Sequence, residues 1–140
     1  MSMADTLSRA ERSRRMARIR GKDTKPELIV RRLLHSRGRR FRLHQAGLPG
    51  HPDLVFPARR AVIFVHGCFW HRHPDPACPL ARLPKSKLDF WLPKLEGNAR
   101  RDLATAERLA RDGWRSLTVW ECELAHLDEV EAKMLAFLEA

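Results

Sequence analysis

The chain has 140 residues, the size of one ordinary domain, with 44% hydrophobic residues and a formal net charge of +10. That apolar content excludes a disordered basic tail, and the longest apolar run, residues 61–65, falls far short of the roughly 18 that a membrane span needs. Three cysteines argue against a disulfide framework, and the arginine-rich N-terminus lacks the apolar stretch of a secretory signal, so a cytoplasmic protein with no membrane role is expected.

The charge is unevenly placed. Residues 9–42 hold 14 Lys and Arg against Glu11, Asp23 and Glu27, while the rest of the chain nets −1. Such a block suits phosphate neutralisation, so nucleic acid is the expected partner; a solvated helix face is the plainer reading.

In chain order, residues 5–20 read as an arginine-rich arm, helical or ordering on binding. Thr24 then caps a helix, with Glu27 three residues on completing a capping box, Leu28, Ile29, Leu33 and Leu34 as its apolar side, and Gly38 near its end. A short strand over 41–45 and a Gly/Pro loop over 46–52 follow. Strands over 53–56 and 61–66 are joined by the Pro57-Ala58-Arg59-Arg60 turn, and the second is apolar enough to be covered on both faces. Residues 67–85 form a loop dense in Cys, His and Pro. Helix resumes near residue 86 with interruptions expected at Pro93 and Gly97. Asn98 caps the remainder to residue 112, where Gly113 stops it. A strand over 114–120 and an amphipathic helix over 128–139 complete an α-β-β-β-α-β-α order, hence a single α/β domain with a mixed central sheet flanked by helices.

Cys68, His73 and Cys78 are spaced by four intervening residues each, and Cys122 lies just after the last strand. Together they make a Cys3His set suited to a closed, structural zinc site, with His71 and His66 as alternative ligands and simple burial of the thiols as the rival reading. Asp53 opens one strand of a hairpin whose partner ends at His66. This layout resembles PD-(D/E)xK nucleases, although Val65-His66-Gly67 departs from their second half. Asp53 is accordingly a candidate Mg2+ ligand or a turn residue.

The string Phe64-Val65-His66-Gly67-Cys68-Phe69-Trp70-His71-Arg72-His73 resembles the signature of very-short-patch-repair (Vsr-type) DNA mismatch endonucleases. The likeness extends through Glu11-Arg12-Ser13-Arg14-Arg15-Met16, Asp23-Thr24-Lys25-Pro26-Glu27, Leu48-Pro49-Gly50-His51-Pro52-Asp53, Asp89-Phe90-Trp91-Leu92-Pro93-Lys94 with Asn98, Gly113-Trp114-Arg115 and Val119-Trp120-Glu121-Cys122. It implies a restriction-endonuclease-like fold and an Mg2+-dependent enzyme that nicks double-stranded DNA beside the thymine of a T·G mismatch, the product of 5-methylcytosine deamination. It further implies metal binding by Asp53 and the Val65 carbonyl, catalysis by His71 supported by Glu27, a second active-site histidine in His66, and structural zinc on Cys68, His73, Cys78 and Cys122. Phe69, Trp70 and Trp91 resemble the aromatics wedged beside the mismatch, Met16 enters from the other groove, and Lys94 and Asn98 resemble residues that contact the bases. Val65 replaces a threonine of the family pattern, and the loop between His73 and Cys78 differs in length. A monomer of the bacterial cytosol is expected, with contacts to other repair proteins. The alternatives are a zinc-stabilised DNA-binding domain without catalysis and a zinc hydrolase acting through His71-Arg72-His73.

Overall fold

A computed structural model describes residues 23–140. The expected arm over residues 5–20 and Met16 lie outside them. Helix α1 (Lys25–Ser36) precedes strands β1 (Arg42–Leu43), β2 (Leu54–Phe56) and β3 (Ala61–His66). Helix α2 (Leu88–Arg111), strand β4 (Arg115–Trp120) and helix α3 (Leu127–Glu139) follow. The sheet order is β1-β2-β3-β4. The first three strands pair antiparallel, and β4 runs parallel to β3 with His66 opposite Trp120.

Every residue of β3 is buried, because strand alternation gives each face its own helix layer. Ala61, Ile63 and Val65 join Val30 and Leu34 of α1 and Val130, Met134 and Leu138 of α3. Val62 and Phe64, with Val55, pack on Leu109 of α2. Two helices thus cover one face and the long helix covers the other, which leaves His66, of the same parity as Val62 and Phe64, on the α2 side.

Helix α1 starts as expected at Thr24, whose hydroxyl accepts the Glu27 N–H at 3.4 Å. The reciprocal arm of the capping box differs: Glu27 reaches past the cap to the N–H of Asp23 at 3.0 Å. The interruptions expected in α2 are absent, and Asn98 is an interior residue rather than a cap. Pro93 lies in the second turn, where it removes only the bond to the Asp89 carbonyl. A mid-helix proline costs about 3 kcal/mol, a loss offset by full burial of Leu95 and Leu109.

The basic block is partly committed to the fold itself. Arg31 pairs with Glu27 and Asp23, Arg37 with Glu131, and Arg39 with Glu139, so these three do not all await phosphates. Further along, Arg59 and Arg115 donate to the Leu138 and Phe137 carbonyls, each at 2.7 Å, at the end of α3. The Arg115 guanidinium also lies 4.9 Å from the Phe137 ring centroid. Arg115→Ala leaves a helix-end carbonyl without its donor and should cost about 1–2 kcal/mol, read as a lower urea midpoint with an unchanged m-value. An unchanged midpoint would remove the cap from the stability account.

Candidate active site

The ends of β2 and β3, the start of α1 and the middle of α2 enclose one open cleft of about 1330 Å³. Its floor begins with the loop before β2. Gly50 has φ +74°, and a Cβ there would lie 2.3 Å from Thr105 Cγ2 of α2. Glycine is required at this point for the loop to lie against the helix and deliver Asp53 into the cleft.

Asp53 accepts the Val65 N–H at 2.7 Å across the hairpin. Burial pushes its carboxyl up to about 7, and the adjacent Glu27 carboxyl pushes the same way against that hydrogen bond and the Arg31 charge. Glu27 is 1% exposed, and burial raises its pKa as well, opposed by the Asp23 N–H and the Arg31 guanidinium. Its carboxylate accepts on Oε2 from Asp23 N at 3.0 Å and from Arg31 Nη2 at 3.1 Å. A buried carboxyl (Glu27) and a half-buried one (Asp53) side by side, with one guanidinium behind them, form a pair that a divalent cation would complement.

His71 stands on a tight turn after β3, its N–H bonded to the Gly67 carbonyl at 3.1 Å. Its Nδ1 lies 2.7 Å from Asp102 Oδ2, which leaves Nε2 as the nitrogen for proton transfer. The supporting carboxylate expected from the sequence was Glu27; the one bonded to His71 is Asp102. Glu27 is instead turned towards Asp53, Asp23 and Arg31. Asp102 was missed, although it lies four residues after Asn98 on the same α2 face. His66 stacks on His71 with centroids 3.8 Å apart and planes within 5°. Burial, then the His71 charge, lowers its pKa to about 4, so it is a neutral ring at pH 7.

On the rim, Phe69, Trp70 and Trp91 pack edge to face at 5.2–5.9 Å. Trp70 is 40% exposed, and Phe90, not singled out from the sequence, is 58% exposed beside Trp91. Lys94 Nζ sits 5.7 and 5.9 Å from the Phe90 and Trp91 centroids. Asn98 Nδ2 donates to the Trp70 carbonyl at 2.9 Å, tying the aromatic loop to α2.

Behind the cleft, donor atoms of Cys68, His73, Cys78 and Cys122 all lie within 4.8 Å of one another. The register explains half of this set, because Cys68 and Cys122 each stand two residues beyond paired ends of β3 and β4. The Cys122 N–H points at Cys68 Sγ at 3.4 Å, and His73 Nδ1 is 3.5 Å from Cys122 Sγ. Of the candidate histidines, His73 joins the thiols, while His66 and His71 face the cleft. Three thiols and an imidazole converging in this way suit a tetrahedral d10 cation.

The family model described as DNA mismatch endonuclease Vsr matches residues 4–76. The chain is 52% identical to the type II nicking enzyme V.XorIIP of Xanthomonas oryzae pv. oryzae over 98% of both chains. It is 45% identical to the DNA mismatch endonuclease Vsr of Escherichia coli, covering 87% of this chain and 76% of that one. In fold it resembles the catalytic domain of the homing endonuclease I-Bth0305I, with a TM-score of 0.55 at 18% identity over 82% of this chain and 94% of that one.

Proposed function

The chain belongs to the Vsr family of DNA mismatch endonucleases, and from that premise we propose that it nicks one strand of duplex DNA beside the thymine of a T·G mismatch, with Mg2+ as the catalytic cation and Zn2+ as a structural one. One observation carries this reading: the Asp53–Glu27 carboxyl pair and the His71–Asp102 pair line a single cleft that is rimmed by exposed aromatics. Family membership favours cleavage over the non-catalytic DNA-binding alternative. The closed donor set of the cysteine cluster disfavours a zinc hydrolase.

Asp53 and the Val65 carbonyl would hold Mg2+, which when bound neutralises charge on the phosphoryl oxygens. His71, oriented through Nδ1 by Asp102, takes a proton from the attacking water at Nε2. Neutral His66 adds no charge and holds the His71 ring in plane. Glu27, fixed through Oε2 by Arg31 and Asp23, contributes negative charge beside Asp53. Cys68, His73, Cys78 and Cys122 would hold Zn2+ and tie the 67–80 loop to the end of β4.

Phe69, Trp70 and Trp91 form the wedge. Unstacking a base step costs a few kcal/mol, and less at a mismatch, which gives discrimination without extruding a base. Lys94 and Asn98 of the same rim would contact base edges, Asn98 while its Nδ2 holds the Trp70 carbonyl, and Met16, in the basic segment 1–22, would enter from the other groove. The enzyme acts as a monomer in the bacterial cytosol, in the company of other repair proteins. Among the described residues no helix is long and apolar enough to cross a membrane.

The test is a nicking assay with Mg2+ on otherwise identical T·G and T·A duplexes. Cleavage is expected on the first alone, lost in His71→Ala with duplex binding retained. Trp70→Ala should narrow the T·G to T·A ratio by about tenfold or more, as expected when ~1–3 kcal/mol of stacking is removed. Equal cutting of both duplexes by the intact chain, or an unchanged ratio in Trp70→Ala, contradicts the reading.

A further inference from the structure

Four rings cross the end of the sheet in unbroken contact. His71 stacks on His66 at 3.8 Å. His66 meets the Trp120 indole at 5.3 Å and 72°, and the indole stacks on His73 at 4.3 Å and 18°. The order follows from the parallel register, in which His66 and Trp120 are direct partners.

Trp120 therefore stands as a partition. It lines the cleft on one side and packs against the Cys68, Cys78 and Ala81 cluster on the other. Its backbone is held: the Trp120 main-chain N–H donates to Glu123 Oε1 at 2.9 Å, and Lys133 of α3 holds the Glu123 carboxylate at 2.8 Å. The ring it supports is less firmly held. His66 Nδ1 is buried with no hydrogen-bond partner among the described residues, so packing against Phe64, His71 and Trp120 sets the plane of that imidazole.

We propose that Trp120 is a positioning residue for strand cleavage: its indole, held between His73 and His66, sets the ring stack in which His71 stands. This rests on the proposed role of His71 in proton transfer. The hydrogen bond from His71 Nδ1–H to Asp102 Oδ2 fixes one edge of the His71 ring but leaves rotation about that bond, and the stacked face removes it. Misplacing a proton acceptor by about 1 Å can cost 10²-fold in rate, so disturbance at the cysteine cluster is transmitted to the cleft through one side chain.

The test compares Trp120→Leu with Trp120→Phe, using rate at saturating T·G duplex, duplex affinity, metal content, melting temperature and the histidine ring resonances. Trp120→Leu should lose about 10- to 100-fold in rate with affinity within about threefold. It should also shift the His66 and His71 ring signals, while metal content is kept. Trp120→Phe should restore most of the rate. If the leucine variant does not fold, His73→Cys removes the ring under the indole while keeping four metal donors, and should slow cleavage with unchanged metal content. A folded Trp120→Leu or His73→Cys that cuts at the parental rate overturns the proposal. His71→Ala is the separate control: parental cleavage there would overturn the role of His71 rather than that of Trp120.

Discussion

Asp53→Asn is expected to abolish nicking, by about 10³-fold or more, and at the same time to raise the melting temperature in metal-free buffer. The two effects have one origin. Asp53 is half-buried beside the fully buried Glu27, and its carboxyl is pushed up to about 7. An acid whose folded pKa lies above its unfolded value near 4 keeps its proton longer in the fold. Its contribution to stability therefore falls as pH rises from about 4 towards 7, and the full cost, about 2–4 kcal/mol, stands above that range. Asparagine carries no such cost and still accepts the Val65 N–H. At pH 8 the variant should melt several degrees above the parent without metal. Adding Mg2+ should close that gap by stabilising the parent alone. Differential scanning calorimetry at pH 5 and 8, with and without Mg2+, reads the effect directly. A variant that melts lower at pH 8 in metal-free buffer, or that still nicks, contradicts it.

The second large effect is expected from the cysteine cluster. Structural zinc in small domains contributes an apparent ~10–16 kcal/mol, comparable to the whole stability of a typical domain, about 5–15 kcal/mol. Cys68 is fully buried, and the set joins the 67–80 loop to the end of β4. Cys122→Ser should therefore lose the metal and melt well below the parent, and a strong chelator should reproduce that loss in the parent. Because Trp120 and His73 share the cluster's edge, nicking should fall before global unfolding. Metal analysis, near-ultraviolet circular dichroism and melting measure the three consequences. A parent protein that carries no metal and melts identically with and without chelator removes zinc from the structure.

What could be read from the residues varied with how much each depends on distant packing. Strand β3 was legible to the residue, because an apolar run bounded by a turn and a glycine has few alternatives. The Cys3His cluster was legible because cysteines are scarce, although the choice of His73 over His66 and His71 needed the loop's path. The α2 helix was misread as broken, since Pro93 and Gly97 are strong local signals that a long packed face outweighs. Asp102 was invisible for a different reason. An acid on a helix face is ordinarily solvated, and only the approach of the 67–73 turn gives this one a partner. Glu27 lines the cleft, but its partners could not be read from the sequence: its place beside Asp53 and Arg31 is a product of tertiary structure. The positive block was read as one phosphate-binding surface, whereas Arg31, Arg37 and Arg39 spend their charge on Glu27, Glu131 and Glu139.

The 54-residue separation of Cys68 and Cys122 bears on how the chain reaches its fold. Strands β3 and β4 must find each other across the whole of α2, a non-local pairing of the kind that slows folding. A cation that joined those two thiols in the unfolded chain would close this loop in advance and remove on the order of 4 kcal/mol of closure entropy from the search. Both cysteines lie two residues past the paired ends His66 and Trp120, so the closed loop would bring those two strand ends together. Refolding in the presence of the metal should then be faster, not only more complete, and the metal would serve the chain as a template before it serves it as a brace.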